Sequence, residues 1–386
     1  MIEAIVLGLG VNGLAVVRAL GSKGVKVAGV YSDRFEEIGY ASKYLVEKQQ
    51  ISAANRSDLV MKACLKLRGN QPEPIVIICT SDAYASVVAE NQDEFSKFFT
   101  LTVPSSDLYW KFLEKKPTAK ICIENNFPIP KTALTDEPGT LLEKVKDYSF
   151  PVIIKPNLTF GSRFPGKNVI AQNLDDVKLF LEEYPDLESD VVVQEIVPSG
   201  DGKIFVVSAF CDGNGKVQAI YSGKKIRQYL PDYGVTSYGV SVNLPELKEM
   251  SKQFLEAIEY KGFGTLEFAF DEEEQAYYFI ELNIRTFYHN QLFKDAGVDL
   301  NYIGYLFAKD CSANVSALAQ KDGVRWMDFT RDIGSFLRKR KQGRITFYGW
   351  IKDVIRARSF AYFNWSDLKP FMVSIQRLFS IFKQQF

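Results

Sequence analysis

FGTLEFAFDEEEQAYYFIELNIRTFYHN, residues 263–290, reads as two strands joined by an acidic turn near 271–277. The first strand carries Glu267 between Leu266 and Phe268, and the second carries Glu281 and Asn283 on either side of Leu282. Side chains alternate along a strand, so Glu281 and Asn283 share a face. A carboxylate set in so apolar a strand is costly unless it is paired or holds a cation. Three oxygen donors with no sulfur or imidazole among them suit Mg²⁺ held partly by nucleotide phosphates. The competing reading is a solvated sheet face laced with salt bridges. Arg285 weighs against it, because E-x-N-x-R sets a fixed cation beside metal and phosphate.

Upstream of this block, DVVVQEIVPSGDGKIFVVSAFCDGNGKVQAIYSGKKIRQ (190–228) reads as strands and turns of an antiparallel sheet, and PELKEMSKQFLEAIEY (245–260) reads as a helix. The first 110 or so residues differ: IEAIVLG, an amphipathic helix ending at Gly24, VKVAGVYSD and PIVIICT form β-α-β units of a parallel, doubly wound fold. Gly8-x-Gly10-x-x-Gly13 opens that first helix, with Asp33 twenty residues after the last glycine. That is the dinucleotide fingerprint in its expected context, with Asp33 placed for a ribose hydroxyl. The same glycines also serve a tight strand-to-helix turn and close packing, which is the weightier reading because nothing downstream resembles a hydride-transfer site. Gly161 to Lys167 matches G-x-x-x-x-G-K, but Asn168 stands where a P-loop needs Ser or Thr and a strand-like VIAQN follows. A glycine-rich hairpin that covers phosphates with Gly161 and Lys167 is the looser expectation, against an ordinary exposed hairpin.

Composition narrows the function classes. The 386 residues suggest two or three domains, and 46% hydrophobic against 24% charged residues is ordinary for a globular protein. Lys+Arg and Asp+Glu both total 47, so no global field points to nucleic acid. Five scattered cysteines without a CxxC pair argue against a disulfide framework or thiolate zinc site and for a reducing cytoplasm. The opening MIEAIVLGLG carries an acid at position 3 and no basic n-region, and no apolar run approaches 18 residues, so the expectation is an unexported chain that does not span a membrane. The single histidine, His289, removes multi-histidine metal sites, and no G-x-S-x-G elbow accompanies it.

With these motifs in hand, the chain resembles the ATP-grasp carboxylate–amine ligases, a superfamily that includes D-aspartate ligase and the carbamoyl phosphate synthetase large subunit. The match runs over about residues 1–310 and is strongest at TLEFAFD…FIELNIR followed by AGVDL. The resemblance implies ATP and Mg²⁺, with Mn²⁺ as an alternative, on Glu267, Glu281 and Asn283. It implies that Arg285 steadies an anionic intermediate, that Lys115 and Lys155 contact ATP, and that Gln194, Glu195, Ile196 and Val197 form a hinge whose backbone holds adenine while Asp201 reaches ribose. Lys225 and Arg227 in SGKKIRQ fall where such ligases face phosphate or substrate carboxylate, and His289 where they face acceptor substrate, although a hydrogen-bonded structural histidine fits equally. The expected fold is α/β and α+β: a Rossmann-like domain (1–112), a lid (113–197), a central α+β subdomain (198–312) and a basic, aromatic-rich helical extension (313–386). The expected reaction is ADP-forming amide synthesis through an acylphosphate on small-molecule carboxylate and amine substrates, among them an amino acid or envelope precursor. An NAD(P)-dependent oxidoreductase and a non-catalytic ATP-binding scaffold are the alternatives.

Residues 325–386 hold 13 Lys/Arg against 4 Asp/Glu inside a neutral chain. LRKRKQGR and IKDVIRARSFAYF look like basic helices with apolar faces. A helical cap packed on the core, an anionic membrane surface or lipid-linked acceptor at the inner membrane face, and a nucleic-acid patch compete here. Packing is the plainest of these, nucleic acid is not expected, and a homodimer is the default assembly.

Overall fold

The computed structural model describes the chain except residues 34–36, 138, 159–163, 167, 198–199, 230–233, 311–318 and 386, and the side chains of 379–385. Gly161 and Lys167 therefore lie outside the described residues. The chain divides into two compact units, one of residues 1–106, 200–267 and 282–386, the other of residues 107–199 and 268–281.

The first unit begins with five strands, β1 (Ala4–Leu7), β2 (Val27–Tyr31), β3 (Leu45–Gln50), β4 (Ile75–Cys79) and β5 (Phe99–Leu101). They pair in parallel in the order β3-β2-β1-β4-β5. β1, β2 and β4 are buried throughout, which explains why they read as continuous Val/Ile runs rather than alternating ones. The helix Val11–Gly21 crosses between β1 and β2, with Val11 through Leu20 all buried. Gly13 is required there: a Cβ on it would lie 2.0 Å from the Gly8 carbonyl oxygen.

In the second unit, β6 (Thr132–Leu134), β7 (Val152–Pro156), β8 (Val169–Ala171) and β9 (Val191–Glu195) form an antiparallel sheet in the order β6-β9-β7-β8. Val152, Ile154 and Val193 from its inner face pack with Leu141, Val177 and Phe180. The helix Leu174–Glu183 that supplies the last two starts at an Asn173 cap, whose side chain accepts from the Asp176 amide.

The largest sheet takes β10 (Ile204–Cys211), β11 (Val217–Gln228), β12 (Thr236–Ser241), β13 (Gly262–Asp271), β14 (Ala276–Asn283), β15 (Arg325–Met327) and β16 (Ser359–Phe360), in the order β14-β13-β10-β11-β12-β15-β16. The C-terminal segment thus supplies two edge strands as well as the helices Phe329–Lys341, Phe347–Arg356 and Lys369–Gln385. Residues 359–360, expected to continue a basic helix, pair as β16 in parallel with β15. Trp326 and Met327 of β15 are fully buried, and that burial fixes the strand pairing over local helix propensity. Among the described residues no helix is long and apolar enough to cross a membrane.

Candidate active site

Glu267 sits on β13, 7% exposed. Buried between Leu266 and Phe268, its carboxylate requires polar partners, and two side chains of the same unit supply them. The Lys225 ammonium from β11 meets Oε2 at 2.5 Å, and Asn283 Nδ2 donates to Oε1 at 3.2 Å. Lys225 is itself buried and lies 5.6 Å from the centre of the Phe287 ring. Glu281, two positions before Asn283 on β14, has the same strand parity and is exposed. Among the described residues no three His, Cys, Asp or Glu side chains gather into a metal cluster. The donor set is therefore carboxylate plus amide oxygen. Such a set fits a hard cation that takes the rest of its shell from phosphate oxygens, and it would not build an all-protein cage.

The strand continues into Arg285, whose guanidinium grips Asp82 through Nε at 2.7 Å and Nη2 at 3.3 Å. Thr286 donates its amide to the Cys79 carbonyl at the end of β4. The E-x-N-x-R segment is thus tied to the carboxyl ends of the parallel strands, beside the place where the strand order reverses between β1 and β4. His289 is fully buried among the rings of Phe287, Phe293 and Trp326, with centroids at 4.7, 5.6 and 5.6 Å. Neither ring nitrogen has a hydrogen-bond partner among the described residues. Burial, with the Lys225 charge adding to it, holds its pKa down to about 3. The structure thus gives His289 the surroundings of a core residue, without the hydrogen bond that a structural reading leads one to expect.

Within the second unit, Lys155 on β7 donates to Gln194 Oε1 at 2.8 Å across the β7–β9 pairing, and Gln194 Nε2 passes the chain on to Thr132 Oγ1 at 2.8 Å. Glu195 turns its carboxylate to the Ser149 amide at 2.7 Å, and its own amide donates to the Lys131 carbonyl at 2.9 Å. Lys115 opens the helix Lys115–Glu124 with its amide on the Asn157 carbonyl. Its neighbour Lys116 is buried, its ammonium held by the carbonyls of Thr135 and Ser189.

Residues 241–309, which span β13, β14 and the Arg285 segment, match the family described as carbamoyl-phosphate synthase L chain, ATP binding domain. A D-aspartate ligase of Enterococcus faecium (strain Aus0004) is 24% identical over 300 residues, covering 73% of this chain and 70% of the relative. The chain has the ATP-grasp fold. Solved structures with this fold include the biotin carboxylase–β-γ-ATP complex from Campylobacter jejuni, with a TM-score of 0.66 and 17% identity over 84% of this chain and 74% of that one. The ADP complex of N5-carboxyaminoimidazole ribonucleotide synthetase gives a TM-score of 0.63 and 15% identity over 89% of this chain and 86% of that one.

Two residues expected at the nucleotide are engaged elsewhere. Arg227, two positions beyond Lys225 on β11, does not join it: the pairing with β12 shifts register between them, and Arg227 is held by Asp332 at 3.1 and 3.0 Å and by Asp353 at 2.5 Å. Burial alone would lower its pKa, but the two carboxylates outweigh burial and raise it, so it is a fixed cation anchoring the C-terminal helices. Asp201, expected at ribose, is ion-paired with Lys339 and accepts from the Gln228 amide at 3.1 Å. A third residue, Glu37, escapes sequence reasoning. Its carboxylate takes the amides of Leu9 at 2.7 Å, Ser32 at 2.5 Å and Asp33 at 3.0 Å. The Leu9 amide lies in the glycine turn and the Ser32 and Asp33 amides follow β2, and the chain's own carboxylate occupies all three. The only trace in the sequence is an acid four residues after Asp33.

Proposed function

We propose that this ATP-grasp enzyme joins a carboxylate to an amine with ATP, forming an amide and releasing ADP and phosphate. The observation that carries the reading is the buried Lys225–Glu267–Asn283 cluster, a cation, a carboxylate and an amide meeting on one sheet. The γ-phosphoryl passes to a substrate carboxylate oxygen, the amine attacks the resulting acylphosphate carbon, phosphate leaves, and the amine loses its proton. Mg²⁺ held by Glu267, Glu281 and Asn283 would neutralise charge on the transferred phosphoryl. Lys225 offers a second cation at the same place, and Arg285, fixed by Asp82, is the group assigned to the developing oxyanion. Lys155 and Lys115, with the backbone of Glu195 to Val197, are assigned to the nucleotide. Arg227 and Asp201 belong to the scaffold, and His289, neutral and enclosed, is assigned no proton transfer. No protein nucleophile is required.

The D-aspartate ligase relative supports an amino acid as the carboxylate. Four buried free thiols, Cys64, Cys79, Cys122 and Cys211, support a reducing, cytoplasmic setting. The test is ADP and phosphate release from MgATP, with AMP assayed in parallel, across a panel of amino acids and dicarboxylates with amine acceptors. Substrate-dependent ADP is the expected product. AMP release would replace the acylphosphate by an adenylate, and saturable ATP binding with no turnover for any pair would leave a nucleotide-binding scaffold.

A further inference from the structure

The C-terminal segment sorts its charges by side. Its four acids turn inward: Asp328, Asp332 and Asp367 are buried, and Asp353 is half-buried between Arg227 and Arg325. Asp332 takes Arg227, Ser237 and the Trp350 indole, while Asp367 takes Arg18, Ser42 and the Lys43 amide. Lys339 is buried against Asp201 and Arg325, Arg331, Arg338 and Arg377 are half-buried, while the other bases of the described residues are left outside. Arg340 and Lys341 end the helix Phe329–Lys341 and Arg344 follows, and Lys352 and Arg356 stand on the helix Phe347–Arg356, all exposed. Among the described residues from 325 to 378, no exposed side chain is acidic.

Large apolar side chains share that outer side. Tyr348, Lys352 and Ile355 fall at i, i+4 and i+7, one stripe of their helix, with Tyr348 80% and Ile355 65% exposed. Trp350, on the other side of the same helix, is buried against Phe336 at 4.7 Å. The Arg340 guanidinium lies 5.9 Å from the Phe347 ring, so the cationic end of one helix adjoins the apolar start of the next. Leu337 at 50% and Phe347 at 54% exposure extend the patch.

We propose that these two helices dock this enzyme on the surface of an anionic lipid bilayer, with the bases against headgroups and Phe347, Tyr348 and Ile355 in the acyl boundary. Exposed cations with no acid exposed beside them on their own segment among the described residues match a negative surface, and each contributes to partitioning. Exposed aliphatic chains beside them gain from burial in the interface. A nucleic-acid partner would use the bases and the aromatic rings but would leave Leu337 and Ile355 in water. The inference goes beyond the ligase reading and does not depend on it.

The test is co-sedimentation of the full chain with vesicles of phosphatidylcholine containing about one third phosphatidylglycerol, against pure phosphatidylcholine, at low and high salt. The expected result is binding to the anionic vesicles that falls at least about tenfold in high salt and on neutral lipid. The triple variant Arg340→Glu, Lys341→Glu, Arg344→Glu and the double variant Tyr348→Ser, Ile355→Ser should each reduce binding at least about tenfold while circular dichroism and thermal midpoint show a folded protein. Absence of binding at low salt, equal binding to neutral vesicles, or undiminished binding by both folded variants would overturn the proposal. Capture of single-stranded DNA or RNA without vesicle binding would overturn it too, and would hand the surface to nucleic acid.

Discussion

The turn after β1 and the hairpin of β13 and β14 both carry patterns that suit phosphate, and the chain finishes them differently. At that turn and the adjoining end of β2, three backbone amides converge on one carboxylate, Glu37, at 2.5–3.0 Å. Three donors hold that one carboxylate at once, so the chain itself fills the place. In the hairpin, Glu267 is held by Lys225 and Asn283, two side chains that can re-form around a cation and phosphate. A motif marks a ligand site only where its polar groups are satisfied by something a ligand can replace.

The sharpest way to break this comparison is to remove charge at the hairpin. Glu267→Gln and Glu281→Gln should each lower substrate-dependent ADP release at least about 100-fold, with circular dichroism unchanged. Wild-type turnover in either would remove the metal assignment of that residue. Next in size is Arg227→Ala, which leaves the buried Asp332 without its cation and takes one of two cations from the half-buried Asp353, and should cost about 3–5 kcal/mol, read from the urea midpoint. The KM for ATP in the folded protein should stay unchanged, whereas a large rise would return Arg227 to the phosphates. Glu37→Ala leaves the three amides unsatisfied and should cost about 1–3 kcal/mol. Titration of the wild type with NADH should give no saturable signal.

How much was legible in the sequence follows the range of the interactions. Glu267, Asn283 and Arg285 lie within one hairpin, so alternation and spacing alone place them. Parallel β1, β2 and β4 were legible for the same reason, as short apolar runs with a glycine turn between. Arg227 was not: its partners are 105 and 126 residues away in a segment that reads as basic, and its four acids look like minor counter-charges until burial sets them inside. Lys225 and Arg227 share strand parity, and only the register shift in the β11–β12 pairing separates them. β15 and β16 were hidden because two- and three-residue strands carry no periodicity of their own.

The smallest effect concerns His289, at the edge of the same cluster. A histidine whose folded pKa is about 3 stays neutral while the unfolded chain, near its ordinary 6.5, takes up a proton. Between those values the unfolded state binds more protons, so the contribution of His289 is present above about pH 6.5 and is lost as pH falls toward 3. Carboxylates add their own acid-side loss in the same range, so the wild-type curve alone does not isolate the imidazole. His289→Phe does, because a phenyl ring suits the company of Phe287, Phe293 and Trp326 and cannot titrate. The difference between wild-type and variant unfolding free energies, measured by urea from pH 7 to 4, should shift steadily in favour of the variant as pH falls. A flat difference would mean that the imidazole takes up its proton in the fold as readily as in the unfolded chain, and a collapse of kcat at pH 7 with KM unchanged would restore a catalytic role that its enclosure denies.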